Sequence, residues 1–444
     1  MSAQSDYKTS SHEKANDAGK VGLSLAITEM CANERPSLKW LFIMLLIEFA
    51  AFAMLIPIFP FFLIHEIGLG PDRVGQLLSV FSLAQLIGAY ASGRISDAIG
   101  RRYVIIVVFA WAGAGCGATA FVTTFAEVSI VRIMQGLSGG TAALCDAYIL
   151  DLVPSYAIPS YTGFSGAVKG MSFVFGPGVG AVLIHIGISR RAIFLVTGGL
   201  AFVAAGLGLA FLDESLPKEK QRPLCGQREP EKSAGAEAAD WEGTNTGLLF
   251  IWFARFTSAL GLGFLFATYA FLIKDNFGWS DMHFGIVLLV TGLSGACFQL
   301  LVFPRIAACI GASWCLFSGG ALGIVAFTMF PEPSLFGHIC ALILFTLSGG
   351  FLEPSFPALV GIFASERHLG IANGVVASCR ALATMLSPLV AGMLYKSSPR
   401  FAYHAAASCF AFATVAAAVI SVLSKSLPAE SDRLMLEAGG KGEF

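Results

Sequence analysis

Charged residues are scarce in this chain. Asp, Glu, Lys and Arg make up 13% of its 444 residues, about half the share that soluble proteins carry. Hydrophobic residues make up 56%, and the formal net charge is −1, so the composition gives no sign of a surface that binds nucleic acid. This balance is typical of a helical membrane protein, in which lipid replaces water around most side chains.

Paired cysteines and catalytic motifs are also missing. The ten cysteines are scattered singly, without a C-x-x-C pair, which favours neither a disulfide framework nor a metal site. The sequence shows no nucleotide-binding motif and no arrangement of a nucleophile with a base. We therefore expect a protein that is not an enzyme and that has no cofactor and no metal. Residues 1–37 are polar and lack the apolar core of a cleaved signal peptide.

Long apolar runs make up most of the remaining sequence. A spanning helix needs about 20 mostly apolar residues, and these runs are too long and too continuous to be strands. The sequence therefore predicts an all-α membrane protein with twelve transmembrane helices, at 38–64, 74–92, 103–125, 128–150, 162–185, 191–212, 247–273, 283–303, 312–330, 335–363, 370–395 and 401–424.

Polar segments divide these helices into two groups. We expect two six-helix bundles at 38–212 and 247–424, joined by a linker at 213–246 and flanked by tails at 1–37 and 425–444. Lys and Arg concentrate in both tails, in the linker and in the turn after the second helix. The positive-inside rule then places the tails and the linker in the cytoplasm, in a protein of the plasma membrane or an organelle membrane.

The two bundles repeat each other in sequence. FLIHEIGLGPDRVG (62–75) matches FLIKDNFGWSDMHFG (271–285) with one insertion, and GRISDAIG (93–100) matches PRIAACIG (304–311). Two parallel six-helix repeats are the plan of many transporters, which bind substrate near the middle of the membrane between the repeats.

The stretch GRISDAIGRR, residues 93–102, interrupts the apolar runs and is called the signature loop below. Gly93 and Gly100 permit a tight turn, and Asp97 is the only acid among three arginines. The spacing resembles the G-x-x-x-D-x-x-G-R-R/K loop of the major facilitator superfamily. The resemblance implies that Asp97 and Arg101 form a latch that holds the two halves in the outward-open state, and Asp151 matches an acid that often pairs with this arginine.

Further motifs resemble the twelve-helix drug:proton antiporters, the group that includes the tetracycline exporters. They are LIPIFP (55–60), RIMQG (132–136) and the fifth-helix pattern around Gly163, Gly176, Pro177 and Gly180, in which Ser172 and Ala181 replace two glycines. The glycines make a smooth helix face, and Pro177 permits a kink. The pattern favours a hinge and seal between the halves over ordinary small-residue packing.

Ionisable residues inside spanning helices are costly and are candidates for function. Glu48 and Arg132 form a candidate proton-coupling pair. A carboxyl group in an apolar cavity binds a proton more tightly than one beside an arginine, so movement between these two settings would load and release a proton. The alternative is a static pair that orients two helices. Asp146 lies near the helical face of Arg132 and is a candidate for a second proton site or a substrate contact.

Lys169 and Arg380 occupy matching positions of the two halves, seven residues before the residue that precedes a proline. Facing one cavity, they would bind an anionic group of the substrate; alternatively, each pairs with Asp146 or Glu353. Glu353 is a candidate substrate contact or a capped kink beside Pro354. Arg255 is predicted to extend to the membrane surface.

These residues predict a secondary transporter that moves a small organic or amphiphilic molecule by alternating access. We expect proton-coupled antiport, in the direction of efflux, by a protein that works as a monomer in the lipid bilayer. The alternatives are an organic-anion carrier that works by uniport or exchange and, less favoured by the complete signature loop, a non-transporting membrane receptor.

Overall fold

The computed structural model describes residues 36–154, 157–216, 221, 246–364 and 368–425. Over these residues the secondary structure is helical, with no strand. The first half contains α1 (Pro36–His65), α2 (Pro71–Ile99), α3 (Arg101–Thr119), α4 (Phe125–Leu137), α5 (Thr141–Leu152), α6 (Ile158–His185) and α7 (Arg190–Phe211).

The second half follows the same order. It contains α8 (Thr246–Phe277), α9 (Asp281–Cys297), a π-helical segment (Phe298–Val302), α10 (Phe303–Ile310), α11 (Ala312–Met329), α12 (Leu335–Phe363), α13 (Leu369–Ser397) and α14 (Pro399–Lys425). Within the described ranges, eleven helical stretches are long and apolar enough to cross a membrane, one of them running from Asp281 to Ile310. With α4 and α5 forming the remaining predicted span, the fold is an all-α integral membrane fold.

The fourth predicted span, 128–150, is wrong as a single helix. The structure divides it into α4 and α5 at Ser138–Gly140, and Gly140 has a φ of 95°, which favours glycine. A β-carbon on Gly139 would overlap the backbone oxygen of Gln85. The chain therefore breaks where α2 passes too close for an ordinary helical residue.

The signature loop is also more helical than predicted. Helix α2 continues through Gly93 and Asp97 to Ile99, and the break falls only at Gly100, which has a φ of 105°. Hydropathy marks where a helix leaves the hydrocarbon region of the membrane, whereas a residue with a positive φ marks where the helical conformation of the backbone ends. Gly311, the matching residue of the second half, has a φ of 83° immediately before α11, so the repeated sequences make the same break.

The described residues belong to two compact units. The first unit takes its residues from 1–69, 80–227 and 279–289, and the second from 70–79, 228–278 and 290–444. Each unit thus includes the first turns of a helix that belongs, by sequence, to the other half.

The first turns of α2 (within 70–79) and of α9 (within 279–289) are called the borrowed turns below. Glycines let them pack closely. In the second unit, a β-carbon on Gly75 of α2 would overlap the carbonyl oxygen of Pro388 in α13. In the first unit, a β-carbon on Gly285 of α9 would lie 2.6 Å from the carbonyl oxygen of Pro177 in α6. The two contacts are related by the sequence repeat, since a glycine meets the backbone of an equivalent proline in both.

Candidate transport site and signature loop

Arg101 is the centre of the signature loop. It begins α3 directly after Gly100, and its side chain reaches both acids that the resemblance assigns to the latch. One terminal nitrogen lies 2.7 Å from Oδ1 of Asp97, and Nε donates to Oδ2 of Asp151 at 3.1 Å. The same terminal nitrogen donates to Oγ of Ser96 at 2.7 Å. The guanidinium therefore ties the end of α2 to the end of α5.

Glu214 is a member of this cluster that sequence reasoning missed. Its carboxylate accepts from the backbone N–H groups of Arg101 at 2.7 Å and Arg102 at 3.2 Å. These are the first N–H groups of α3, which lack a partner inside the helix and attract negative charge. Gly100 leaves room for the carboxylate, because a β-carbon there would overlap it. Glu214 was assigned to the linker because nothing in sequence shows that the chain after α7 folds back onto α3.

The corresponding loop of the second half is chemically simpler. Ala308 stands where Asp97 stands, and no side chain caps the start of α11 at Gly311. Arg305 donates to the carbonyl oxygen of Leu301, in the π-helical segment that precedes α10. Among the described residues, the acid cluster around an arginine is thus a property of the first unit.

The fifth-helix motif packs against α1. A β-carbon on Gly176 would lie 2.6 Å from the Ala53 side chain, and one on Gly180 would lie 2.7 Å from the Met54 carbonyl oxygen. Gly163 faces open space instead, with nothing within 4 Å of an added β-carbon. The close-packed part of the motif is therefore its second half, around Pro177.

Lys169 and Asp146 form a closed ion pair between α6 and α5. Nζ of Lys169 donates to both carboxylate oxygens, at 3.0 and 2.9 Å, and Ser165 donates to Oδ1 at 2.7 Å. The Lys169 side chain is only 19% exposed. Of the two alternatives for Lys169, the structure shows pairing with Asp146.

Arg132 is buried and Glu48 is partly buried, and no ion pair joins them in the part of the chain that the structure describes. Oε2 of Glu48 is buried there without a hydrogen-bond partner, as is Nε of Arg132. The Arg132 guanidinium lies 3.3 Å from the ring centroid of Phe59, a cation–π contact. In this conformation an aromatic ring, rather than Glu48, faces the arginine.

A second cluster of charged residues on spanning helices lies in the second unit. The two terminal nitrogens of Arg255 donate to the two oxygens of Glu353 at 2.9 and 3.1 Å. The prediction that Arg255 extends to the membrane surface is wrong: its side chain is 7% exposed, because a bidentate partner on α12 holds it inside.

Arg380 completes this cluster from α13. Its guanidinium lies 3.5 Å from Oε2 of Glu353, and its side chain is 53% exposed. Glu353 already binds Arg255 with both oxygens. Together the three side chains carry two positive charges and one negative charge. Pairing with Glu353, one of the two alternatives for Arg380, is therefore present but leaves the guanidinium half open.

The comparison with known families decides the assignment. The family model described as Major Facilitator Superfamily matches residues 41–241 and 251–437. This chain belongs to the major facilitator superfamily. It is therefore an integral, multi-pass membrane transporter for small organic molecules and not an enzyme.

Individual relatives match over most of their length. A tetracycline resistance protein, class H, from Pasteurella multocida is 24% identical over 73% of this chain and 80% of its own. Major facilitator superfamily domain-containing protein 10 from Bos taurus is 25% identical over 80% of each chain. The crystal structure of the human organic anion transporter MFSD10 has a TM-score of 0.60 at 21% identity and covers 86% of this chain and 99% of its own. The predicted resemblance to tetracycline exporters is confirmed.

Proposed function

We propose that this transporter is a proton-coupled antiporter that exports a small organic molecule in exchange for protons. The observation that supports the proposal most directly is Glu48, a carboxyl group inside the spanning helix α1 with a buried oxygen that no described donor contacts.

An isolated carboxylate in an apolar site has a high free energy, and either a proton or a nearby cation offsets that cost. Arg132 is a suitable cation, because its Nε is buried and unpartnered and the guanidinium is held by the face of Phe59. A small rearrangement that brings Arg132 to Glu48 would favour release of the proton, and its reversal would favour uptake.

Relatives named as resistance proteins support export as the direction of transport. Besides the tetracycline resistance protein, a multidrug resistance protein 2 from Bacillus subtilis is 24% identical over 80% of this chain and 89% of its own. Both names refer to resistance to drugs, which is consistent with efflux.

The test is transport by purified full-length protein in proteoliposomes with an imposed pH gradient. Uptake of tetracycline and of carboxyfluorescein is measured, with an internal pH dye to report proton movement. Glu48→Gln, which cannot release a proton, is expected to abolish pH-driven transport while downhill substrate exchange persists. Glu332→Gln removes an acid that is exposed and pairs with Arg400, so it is the matched control. Equal pH-driven transport by Glu48→Gln and wild type would exclude Glu48 as the proton carrier.

Arg380 favours a second candidate, an organic-anion carrier that works by uniport or exchange. The half-exposed guanidinium beside a neutralised Glu353 is suited to bind a substrate carboxylate, and a structural relative is titled an organic anion transporter. In the same proteoliposomes, transport of carboxyfluorescein that follows an anion gradient and ignores the pH gradient would favour this candidate over antiport.

A further inference from the structure

Four phenylalanines on spanning helices of the first unit contact one another. Phe49 and Phe52 lie on α1, Phe81 lies on α2 and Phe173 lies on α6. The ring centroid of Phe173 lies 5.9 Å from that of Phe49 and 6.2 Å from that of Phe52, both in edge-on geometry. The centroids of Phe52 and Phe81 are 6.4 Å apart, and their rings are nearly parallel. These four residues are called the aromatic cluster below.

The aromatic cluster is only partly covered by the protein. Phe52 is 40% exposed and Phe173 is 41% exposed. In the second unit, by contrast, Tyr269, Phe330 and Tyr403 also contact one another and are buried. Because an exposed aromatic ring can stack on a further ring, Phe52 and Phe173 can each accept one more aromatic partner.

Charged groups indicate that this surface does not face hydrocarbon. Glu48 precedes Phe52 by four residues, so the two side chains lie on the same face of α1. The Arg132 guanidinium lies 5.4 Å from the ring centroid of Phe81. Ionisable side chains on spanning helices face protein or a water-filled cavity rather than lipid. The exposed part of the aromatic cluster is therefore suited to bind a dissolved compound rather than an acyl chain.

Helix α6 continues the open surface on the N-terminal side of Phe173. Gly163, Gly166 and Gly170 each have nothing within 4 Å of an added β-carbon. At about 100° per residue, these glycines and Phe173 lie within about 80° of one another around the helix. A helix face without side chains allows close approach, so a flat molecule can lie along it and reach the Phe173 ring.

We propose that the aromatic cluster binds the substrate and selects compounds that contain a planar, fused aromatic ring system. The ring system lies along the glycine face of α6 and stacks against Phe52 and Phe173. The inference rests on the proposed transport of a small organic molecule and names its class, whichever ion is coupled to transport. A saturated compound of the same charge cannot stack on the two rings, so the site binds it less tightly.

The first test is equilibrium binding to the purified full-length protein in detergent, measured by isothermal titration at a single pH. The probes are two pairs of equal charge, anthracenecarboxylate with adamantanecarboxylate, and ethidium with tetrabutylammonium. Wild type is expected to prefer the planar member of the pair whose charge it accepts. Phe52→Leu and Phe173→Leu are each expected to reduce this preference about twofold to tenfold, the worth of one stacked aromatic pair. Phe173→Tyr keeps a ring and is expected to retain the preference.

Phe175→Leu is the matched control. Phe175 is also exposed on α6, but it lies about 200° around the helix from Phe173, so its loss is expected to leave the preference unchanged. Equal affinity within both pairs would overturn the proposal, as would a preference that survives both Leu variants or falls equally in the control. Because these titrations use no pH gradient, a planar preference without pH-driven transport would refute antiport and retain this site. The opposite result would refute the site and retain antiport.

The second test locates the compound on the unaltered protein, so it does not depend on a variant that folds. Azidoacridine, a planar photoreactive compound, is added to proteoliposomes, and the cross-linked residues are identified by sequencing. Cross-links in residues 49–52 and at Gly170 or Phe173, reduced by excess ethidium or anthracenecarboxylate, support the site. Cross-links confined to Phe175 and Val179, which are exposed on the other side of α6, would place the compound elsewhere and contradict the proposal.

Discussion

The two compact units hold their membrane-embedded charges in different ways. In the first unit, Lys169 and Asp146 neutralise each other, and Glu48 and Arg132 balance in number without touching. In the second unit, one carboxylate, Glu353, faces two arginines. The two proposed functions follow this difference, since one assigns proton exchange to Glu48 in the first unit and the other assigns anion binding to Arg380 in the second.

The same difference appears at the helix ends. The first unit surrounds Arg101 with Asp97, Asp151 and the helix-capping Glu214. The matching end of the second half keeps the glycine break but has Ala308 and no side-chain cap at Gly311. Both copies share the backbone break at the glycine. Among these residues, only the first copy has acidic side chains around its arginine. Four variants test this comparison.

The largest effect is expected from Arg255→Ala. Removing one member of a buried ion pair costs about 3–5 kcal/mol. Glu353 is 38% exposed and keeps Arg380 at 3.5 Å, so we expect the low end of this range, about 3 kcal/mol. The measurement is thermal unfolding in detergent, and the double variant Arg255→Met, Glu353→Met is expected to recover most of the loss. Equal destabilisation by Lys169→Ala, whose partner Asp146 keeps the Ser165 hydrogen bond, would break the comparison.

Arg380→Ala is expected to weaken substrate binding rather than folding. A hydrogen bond to a charged group is worth about 1.5–3 kcal/mol, so affinity for carboxylate-bearing compounds should fall about tenfold to a hundredfold, and affinity for neutral amphiphiles much less. Isothermal titration with carboxyfluorescein and with a neutral analogue measures both. Lys169→Ala is the matched control from the other half. A loss of affinity in that variant for carboxylate-bearing compounds alone would contradict the proposal that Arg380 binds the anion.

Glu214→Ala is expected to have a moderate effect on stability. Loss of a side-chain cap costs about 0.5–2 kcal/mol, and here two N–H groups of α3 lose their acceptor. Glu214→Gln keeps an acceptor oxygen without the charge and should recover part of the loss. Unfolding in detergent compares the two variants, and identical behaviour of Ala and wild type would show that water replaces the carboxylate without cost.

Asp97→Asn is expected to change stability least. An exposed ion pair four residues apart is worth about 0.3–0.5 kcal/mol, so unfolding should barely change. On the latch hypothesis, transport should nevertheless slow several-fold at matched expression, because Arg101 loses the acid four residues before it. Transport at the wild-type rate would mean that the signature loop serves topology alone.

Much of the fold follows from the sequence. Long apolar runs located the spans, and the match between GRISDAIG and PRIAACIG located two equivalent breaks, because glycine at a positive φ leaves a local signal. The π-helical segment Phe298–Val302 and the break at Gly140 were not predicted. A glycine pair alone does not mark a break, since Gly349 and Gly350 lie inside the continuous helix α12. Gly140 breaks its helix because of the neighbouring α2, and such a neighbour is not visible in the local sequence.

The sequence predicted which residues belong to the candidate site, but not which residues they contact. Membrane-embedded charges are rare, so Glu48, Lys169 and Arg380 could be selected from hydropathy alone. Sequence left open which acid each cation contacts, and it misplaced Arg255, since pairing with Glu353 depends on the relative rotation of α8 and α12. Glu214 could not be selected, because an acid after an apolar run is common.

The glycine–proline contacts of the borrowed turns bear on the origin of the repeat. Gly75 of the first half meets Pro388 of the second, and Gly285 of the second half meets Pro177 of the first. A single six-helix ancestor with this sequence plan could satisfy such a contact only in a twofold homodimer, each copy lending its second helix to the other. Gene duplication and fusion would then have turned a reciprocal intermolecular exchange into an intramolecular one, and left the two copies free to diverge.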